Sequence, residues 1–283
     1  MTTFIDSKTN KSFFRNNTTI TSFDELQYFT GLTKIGKEYF HECRNLKSVI
    51  LPSTILSIDE YGFYACGLEF IRFPSSLTTL GNFCFNGSSL KTVYVPKTIT
   101  NIGTAVFSGH QLLSIAVDPE NTLFDSRSNC NAIIRKSNNY LIAACDSSII
   151  PETAAGIGPW VFSSSSKKEI NIPASVSNIA AYAFNNCFDL RKVVMNSRTP
   201  FQFSNSMFSI NASGSYEHPV LVVPKGTKSA YADKGWKSVA DGGFFKDVVE
   251  AAPEAGGLLG DVNNDGKVTI ADVTALVNII LGK

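Results

Sequence analysis

The residues best spaced for chemistry lie near the C-terminal end of the chain, where oxygen-bearing side chains recur within a short segment. Counted from Asp261, they fall at positions one, three, five, nine and twelve, and a backbone carbonyl is available at position seven. Calcium takes six to eight oxygen ligands, and a glycine at position six, here Gly266, permits the sharp turn that such a loop needs. The spacing predicts a calcium site with these ligands: Asp261, Asn263, Asp265, the carbonyl of Lys267, Thr269 and Asp272.

Other residue types that support catalysis show no productive spacing. The histidines fall in different parts of the chain, and none has a metal-ligand or triad spacing to another residue. The sequence contains no nucleophile elbow, phosphate-binding loop or zinc motif. We therefore expect a protein that is not an enzyme. The histidines are His41, His110 and His218.

Charge and hydropathy exclude two classes of partner. The chain of 283 residues has a net charge of +1 at pH 7 and no long run of Lys or Arg, so it lacks the basic surface of nucleic-acid-binding proteins. Its apolar stretches are far shorter than the roughly 20 residues of a membrane-spanning helix, so no membrane insertion is predicted. Residues 1–10 show no secretory signal. We expect that a signal has been trimmed and that the protein is extracellular or at the cell surface.

The fold that positions these residues is indicated by a period of 22 residues. Prolines, phenylalanines and large aliphatic residues each keep this interval, and the interval resumes after an interruption. A fixed period in this range indicates a solenoid, in which each repeat forms one coil that stacks on its neighbours. The recurring residues are Pro52, Pro74 and Pro96; Phe63, Phe85 and Phe107; Ile58, Leu80 and Ile102; and, later, Phe162 and Phe184.

Each repeat contains an L-x-x-L-x-L segment that predicts a short strand. In one repeat Val93 and Val95 point inward. The alternation of a strand then sends Thr92 and Tyr94 outward. A second apolar pair beside a glycine, such as the one at Ile102, predicts a tight turn with a small strand or helical turn on the opposite wall of the coil.

The outward positions of the predicted strands form a candidate binding surface. On adjacent repeats they include Ile50, Phe70 and Tyr94, which make an apolar and aromatic strip. Arg72 lies beside this strip. Aromatic residues and arginine are enriched in protein interfaces, so we predict that these four residues bind a partner. The alternative is ordinary packing between neighbouring repeats.

The period breaks between residues 118 and 150. Two apolar segments, 132–136 and 140–144, flank Ser137-Asn138-Asn139, which is the pattern of a β-hairpin. We expect this insert to project from one coil or to widen it. Two interpretations stay open: a loop that gives binding specificity, and an insertion that pads the solenoid.

The two ends of the repeat array have the character of caps. A short helix is predicted at 22–26, a last strand at 220–224 and a short amphipathic helix at 227–236. The predicted organisation is an N-terminal edge at 1–30, repeats at 31–214 with the insert at 118–150, a C-terminal cap at 215–250, a small-residue linker at 251–259 and the calcium loop with its helix at 260–283.

The placement of the cysteines predicts core positions. Cys43, Cys66 and Cys187 each follow a repeat phenylalanine by three residues. A small buried thiol at such a position behaves as a hydrophobic side chain. Cys130 and Cys145 flank the predicted hairpin and could face each other, so a disulfide between them is a further hypothesis.

One complete repeat carries a family resemblance. The pattern Ile-Gly-x-x-x-Phe-x-x-Cys-x-x-Leu begins at Ile35 and continues through Val49 to Pro52. It resembles the BspA-like leucine-rich repeats of bacterial surface proteins, and the resemblance covers about residues 20–250. It implies a β-rich, curved, right-handed leucine-rich-repeat solenoid with a parallel sheet on the concave face and short helical turns. The implied role is adhesion or protein binding, with a protein or glycan ligand on a host or neighbouring cell.

The calcium loop resembles a type I dockerin repeat. It has Asp272 where an EF-hand has glutamate, and a helix is predicted after it at 273–281. Dockerins have two such repeats and dock onto a cohesin, whereas this chain has one, which leaves the apolar stripe of the helix without its usual mate. The resemblance implies calcium as the cofactor and a cohesin as a possible partner. Two alternative functions follow: a dockerin-tethered subunit of an extracellular glycan-degrading assembly, and a structural spacer for a missing domain.

Overall fold

The chain folds as a β-solenoid of stacked parallel strands with little helix, as the repeat period predicts. A computed structural model describes residues 5–6, 11–12, 14–109, 112–208 and 216–251. The predicted calcium loop and the helix after it, at 260–283, lie outside the described residues. His110, which no proposal below uses, also lies outside them.

The strands are short, and most contain two or four residues. In chain order they are β1 (Ile5–Asp6), β2 (Lys11–Ser12), β3 (Ser22–Phe23), β4 (Lys34–Ile35), β5 (Ser48–Val49), β6 (Ser57–Ile58), β7 (Thr79–Leu80), β8 (Thr92–Val95), β9 (Asn101–Ile102), β10 (Ser114–Val117), β11 (Phe124–Asp125), β12 (Ala132–Arg135), β13 (Tyr140–Ala144), β14 (Gly156–Ile157), β15 (Glu169–Ile172), β16 (Asn178–Ile179), β17 (Lys192–Met195), β18 (Val220–Val223) and β19 (Val248–Glu250). The helices are α1 (Lys228–Asp233) and the 3₁₀ helices Asp24–Tyr28, Arg127–Asn129, Asn205–Phe208 and Val239–Asp241.

The coils have two walls of parallel strands. The L-x-x-L-x-L segments form the first, here called the long-strand wall, in which β3 pairs with β5, β8 with β10, and β15, β17, β18 and β19 pair in that order. The apolar residues before the repeat glycines form the second, called the short-strand wall, with the order β4-β6-β7-β9. This confirms the second strand predicted for each coil. In the repeat at 68–73 the side chains keep the alternation of a strand, although the segment is not itself a strand.

The core between the walls is a column of stacked phenylalanine rings. Phe40 and Phe63 have ring centroids 4.9 Å apart and planes only 3° from parallel. Phe85 continues the column at 5.4 Å and Phe107 at a further 5.9 Å. Phe14 stacks on the other end, 5.2 Å from Phe40. The period of 22 residues therefore places the same ring at the same depth of each successive coil.

The predicted core role of the cysteines is confirmed. Each thiol of the repeat position is buried and donates to the carbonyl oxygen of a phenylalanine in the preceding turn of chain: Cys43 to Phe14 at 2.8 Å, Cys66 to Phe40 at 2.7 Å and Cys187 to Phe162 at 3.0 Å. Burial raises the pKa of the Cys187 thiol to about 12, so this thiol stays protonated and unreactive at neutral pH. The hypothesis of a disulfide between Cys130 and Cys145 is wrong, because both thiols are free and pack in different parts of the core.

The insert contains the predicted hairpin, in which β12 and β13 pair antiparallel. Its second strand, β13, also pairs parallel with β14, which in turn pairs with β16. The hairpin is thereby incorporated into the short-strand wall, and it widens the solenoid instead of projecting from it. Asn131 ties it to the other wall, since its Oδ1 accepts from the amide of Ile115 at 2.7 Å.

The predicted elements at the two ends are present in modified form. The N-terminal helix expected at 22–26 is a strand followed by a 3₁₀ helix that starts only at Asp24. The strand expected at 220–224 is β18, and the helix that follows it is α1. This helix is shorter than predicted because Gly235, with φ of +83°, turns the chain. The turn buries Trp236, whose indole donates to the carbonyl of Phe201 at 2.7 Å.

A candidate binding groove on the long-strand wall

A groove of about 1030 Å³ runs across the first coils of the long-strand wall. Its lining includes all four residues that the sequence predicts for partner binding: Ile50, Phe70, Arg72 and Tyr94. The side chains of Ile50, Phe70 and Tyr94 are 44%, 64% and 55% exposed. Large apolar side chains this exposed on three successive coils form a continuous surface that a partner could cover.

The pleat of the strands explains why these side chains face outward. In β8, Val93 and Val95 are buried in the core, and Thr92 and Tyr94 are exposed. The neighbouring strand β10 pairs in parallel register, so Ala116 lies beside Tyr94. A parallel ladder keeps equivalent residues in columns across the wall. The interval of 22 residues gives Ile50, Arg72 and Tyr94 the equivalent outward position on three successive coils.

The charges at the groove leave Arg72 available to a partner. Lys47, which also lines the groove, forms a salt bridge with Glu69 at 3.3 Å across one coil. This pair is exposed and contributes little stability. Arg72 is exposed and forms no salt bridge with any residue in the described part of the chain. Its guanidinium can therefore donate two hydrogen bonds to one carboxylate in bidentate geometry.

Tyr94 and Asp118 influence each other electrostatically. Partial desolvation and a hydrogen bond to Asp118 raise the pKa of the Tyr94 hydroxyl, which therefore stays protonated at neutral pH. Asp118 accepts from the amide of Glu120 at 2.9 Å, and this bond together with the Tyr94 hydroxyl lowers the pKa of the Asp118 carboxyl.

In the strands beyond β8 the outward positions of this wall carry no aromatic side chain. Beyond Tyr94 the groove is lined by the small residues Ser114 and Ala116. Further along, the outward side chains include the salt bridge from Lys192 to Glu169 at 3.1 Å and the half-buried valines Val194, Val220 and Val222. The candidate groove is therefore a local feature of this wall.

A second surface was not predicted from the sequence. In the turns that follow the short strands, exposed or half-buried aromatic residues precede the core phenylalanine by two positions. Tyr61 stacks on Phe83 at 5.2 Å and Trp160 on Tyr182 at 4.6 Å. Both pairs keep the interval of 22 residues, so the sequence contained a signal for this surface. The alternation of strand residues does not identify it, because these residues lie in turns.

The described residues contain no group of three or more His, Cys, Asp or Glu side chains that could hold a metal ion. The predicted calcium ligands fall outside the part of the chain in which such groups can be assessed. Among the helices of the described residues, none is long and apolar enough to cross a membrane.

Coils with two parallel walls and a repeating phenylalanine core define a leucine-rich-repeat solenoid. The chain belongs to the family of the BspA type leucine rich repeat region, whose model matches in six copies over residues 7–134 and 133–218. The matched residues do not include the predicted calcium loop. A search of curated proteins gives no match.

Several solved structures resemble the chain at low sequence identity. A leucine-rich repeat protein from Eubacterium ventriosum is 18% identical, with 79% of this chain and 71% of that chain covered and a TM-score of 0.49. The pneumococcal vaccine antigen PcpA is 14% identical, with 79% and 78% covered and a TM-score of 0.44. A leucine rich cell surface protein from Faecalibacterium prausnitzii is 19% identical, with 80% and 59% covered and a TM-score of 0.45.

Proposed function

We propose that the protein is a non-enzymatic binding protein of the bacterial cell surface or the extracellular space, and that it binds a protein partner through the groove on the long-strand wall. The observation that carries this proposal is the joint exposure of Ile50, Phe70 and Tyr94 beside Arg72 in one groove. Membership of the BspA-type repeat family, whose repeats resemble those of bacterial surface proteins, supports the location.

The groove favours a partner segment with a specific chemistry. Aromatic residues and arginine contribute most of the binding free energy in many interfaces, especially where neighbouring contacts exclude water. The three apolar side chains would pack against apolar side chains of the partner. Arg72, which pairs with no acidic side chain among the described residues, would bind an aspartate or glutamate. We therefore infer a partner segment that combines apolar residues with a carboxylate.

The double substitution Phe70→Ala with Tyr94→Ala tests the groove. The probe is the set of peptides that the immobilised protein selects from a phage-displayed random library. Loss of two interface residues of this type should weaken binding of the selected peptides by about thirtyfold or more, which corresponds to about 2 kcal/mol. Isothermal titration calorimetry with the synthesised peptides measures the change.

A matched control removes two exposed aromatic side chains elsewhere. Tyr28 and Phe188 are 75% and 45% exposed and do not line the groove. Tyr28→Ala with Phe188→Ala should leave peptide affinity unchanged, and Arg72→Glu should abolish selection of peptides that contain Asp or Glu. Equal affinities for the wild type and the groove variant would show that these side chains only pack against each other.

We further propose that residues 261–272 bind calcium. The support is the oxygen spacing described above, in which Asp261 and Asp265 supply two of the charged ligands. Asp261→Asn with Asp265→Asn should weaken calcium binding at least about tenfold, equal to about 1.4 kcal/mol, because two negative charges are removed. Titration of the full chain with calcium chloride measures this. Asn264, which lies between two predicted ligands, gives the control Asn264→Ala, which should bind calcium as the wild type does.

The same segment supports an alternative function. A dockerin-like repeat would tether the chain to a cohesin in an extracellular glycan-degrading assembly. Capture of the chain on an immobilised cohesin in the presence of calcium, and its release by a chelator, would favour this alternative. A chain that binds neither peptides nor a cohesin would instead act as a structural spacer.

A further inference from the structure

The turns that follow the short strands carry a column of aromatic rings on the outside of the solenoid. Tyr61 and Phe83 lie 5.2 Å apart with planes 11° from parallel. Trp160 and Tyr182 lie 4.6 Å apart with planes 19° from parallel. Each of these residues has a positive φ, and the amides of Tyr61 and Phe83 donate to carbonyls of the next coil at 3.1 and 2.9 Å. The backbone at Tyr61 and Phe83 is therefore tied to the next coil.

A buried alanine interrupts the column and brings its two halves together. Ala105 occupies the position that Phe83 has in the preceding coil, and it is only 2% exposed. The rings of Phe83 and Trp160, which flank this coil, approach to 6.0 Å at an angle of 74°. The coil of Ala105 is joined to the next through Ser108, whose hydroxyl donates to the carbonyl of Trp160 at 2.7 Å.

A pocket of about 350 Å³ opens at this junction. This volume lies at the lower end of the range for small-molecule sites, which is about 300 to 1000 Å³. Its lining combines aromatic rings with amides and hydroxyls. The aromatic lining consists of Tyr61, Tyr64, Phe83 and Trp160, and the polar side chains are Asn86, Ser108, Ser163, Ser164, Asn185 and Asn186.

Asn185 is the polar residue at the base of this lining. It is 3% exposed, and its Nδ2 donates to the Ser163 hydroxyl at 3.3 Å. Its Oδ1 is buried and accepts no hydrogen bond in the described structure. A buried acceptor without a donor is unfavourable, and a hydroxyl of a ligand that reached it would offset this cost.

We propose that this pocket binds a neutral sugar unit of a glycan. The C–H groups on one face of a pyranose ring match the negative face of an aromatic ring. The hydroxyls around its edge both donate and accept hydrogen bonds, as amide and serine side chains require. None of the described residues that line the pocket is charged, so an anionic sugar or a phosphate would find no counter-charge there. An apolar side chain of a peptide would offer no donor to the Oδ1 of Asn185.

This inference goes beyond the proposed function and does not depend on it. The pocket lies on the turns after the short-strand wall, whereas the groove lies on the long-strand wall. The two sites share no lining residue. Substitutions in one site should therefore leave the other intact.

The experiment titrates the full chain with neutral oligosaccharides of different linkage. The probes are cellohexaose, maltohexaose, xylohexaose, mannohexaose and N-acetylchitohexaose. The chain has two tryptophans, and Trp236 is fully buried, so a change in tryptophan fluorescence reports on Trp160. We expect at least one probe to change this fluorescence and to give saturation-transfer signals from its ring protons in NMR spectra.

Two variants connect such binding to the pocket. Trp160→Ala should weaken binding of that sugar at least tenfold. Tyr64→Ala should weaken it as well, and Tyr64 has no positive φ that a substitution could disturb. NMR detects binding in both variants, and circular dichroism checks their folding. Phe70→Ala with Tyr94→Ala should bind the sugar as the wild type does. Binding of none of the probes, or unchanged affinity in the folded Tyr64→Ala variant, would overturn the proposal.

Discussion

Replacing Phe63 with alanine should lower the free energy of unfolding by about 3–5 kcal/mol. The Phe63 ring is completely buried between two parallel rings, 4.9 Å from Phe40 and 5.4 Å from Phe85. Alanine would remove both stacked contacts and leave a cavity that the coils, tied together by backbone hydrogen bonds, cannot close. Urea unfolding followed by circular dichroism measures the change.

The control for Phe63 is a phenylalanine outside the column. Phe188 is 45% exposed, so Phe188→Ala should change the free energy of unfolding by no more than about 0.5 kcal/mol. In a solenoid each coil is stabilised mainly by its nearest neighbours. We therefore expect Phe63→Ala also to make unfolding less cooperative, because it separates the first coils from the rest. A loss below about 1 kcal/mol would contradict the role given to the ring column.

The sequence predicts the core well because the solenoid repeats one coil by translation. A residue type that recurs every 22 positions returns to the same depth, so the phenylalanines and thiols of the core could be assigned from spacing alone. The same reasoning places Phe70 and Tyr94 outside, since strand alternation fixes the face of each side chain. The groove between them could not be predicted, because its depth depends on how neighbouring coils are positioned.

Contacts that cross the insert could not be predicted from the period. The approach of Phe83 to Trp160 requires that the segment 118–150 be folded into the solenoid, so that the coils on either side of it become neighbours. That outcome depends on the pairing of β13 with β14, for which the interrupted spacing gives no register. The aromatic pocket is therefore visible only in three dimensions.

Replacing Asn121 with alanine should lower the free energy of unfolding by about 2–6 kcal/mol, because it removes four hydrogen bonds that contribute about 0.5–1.5 kcal/mol each. Asn121 is 1% exposed at the start of the insert. Its Nδ2 donates to the carbonyls of Pro96 and Ile99, each at 3.0 Å. Its Oδ1 accepts from the amides of Leu123 and Phe124, each at 2.9 Å. One side chain thus joins the insert to the coil before it.

Asn45→Ala is the matched control for Asn121→Ala. Asn121→Asp separates the two roles of the Asn121 side chain, which donates to two carbonyls and accepts from two amides. Asn45 also bonds across coils, to the carbonyl of Thr18 at 2.6 Å, but it is exposed, so water can replace it and the loss should stay below about 1 kcal/mol. Asn121→Asp keeps the acceptor but turns a carboxylate toward two carbonyls, so it should destabilise the protein at neutral pH at least as much as alanine does. Hydrogen exchange at the amides of Leu123 and Phe124 should accelerate more in Asn121→Ala than in Asn121→Asp, because the aspartate keeps the oxygen that accepts from both amides. If exchange stays slow and Asn121→Ala costs no more than Asn45→Ala, the insert is held by its hairpin pairing alone.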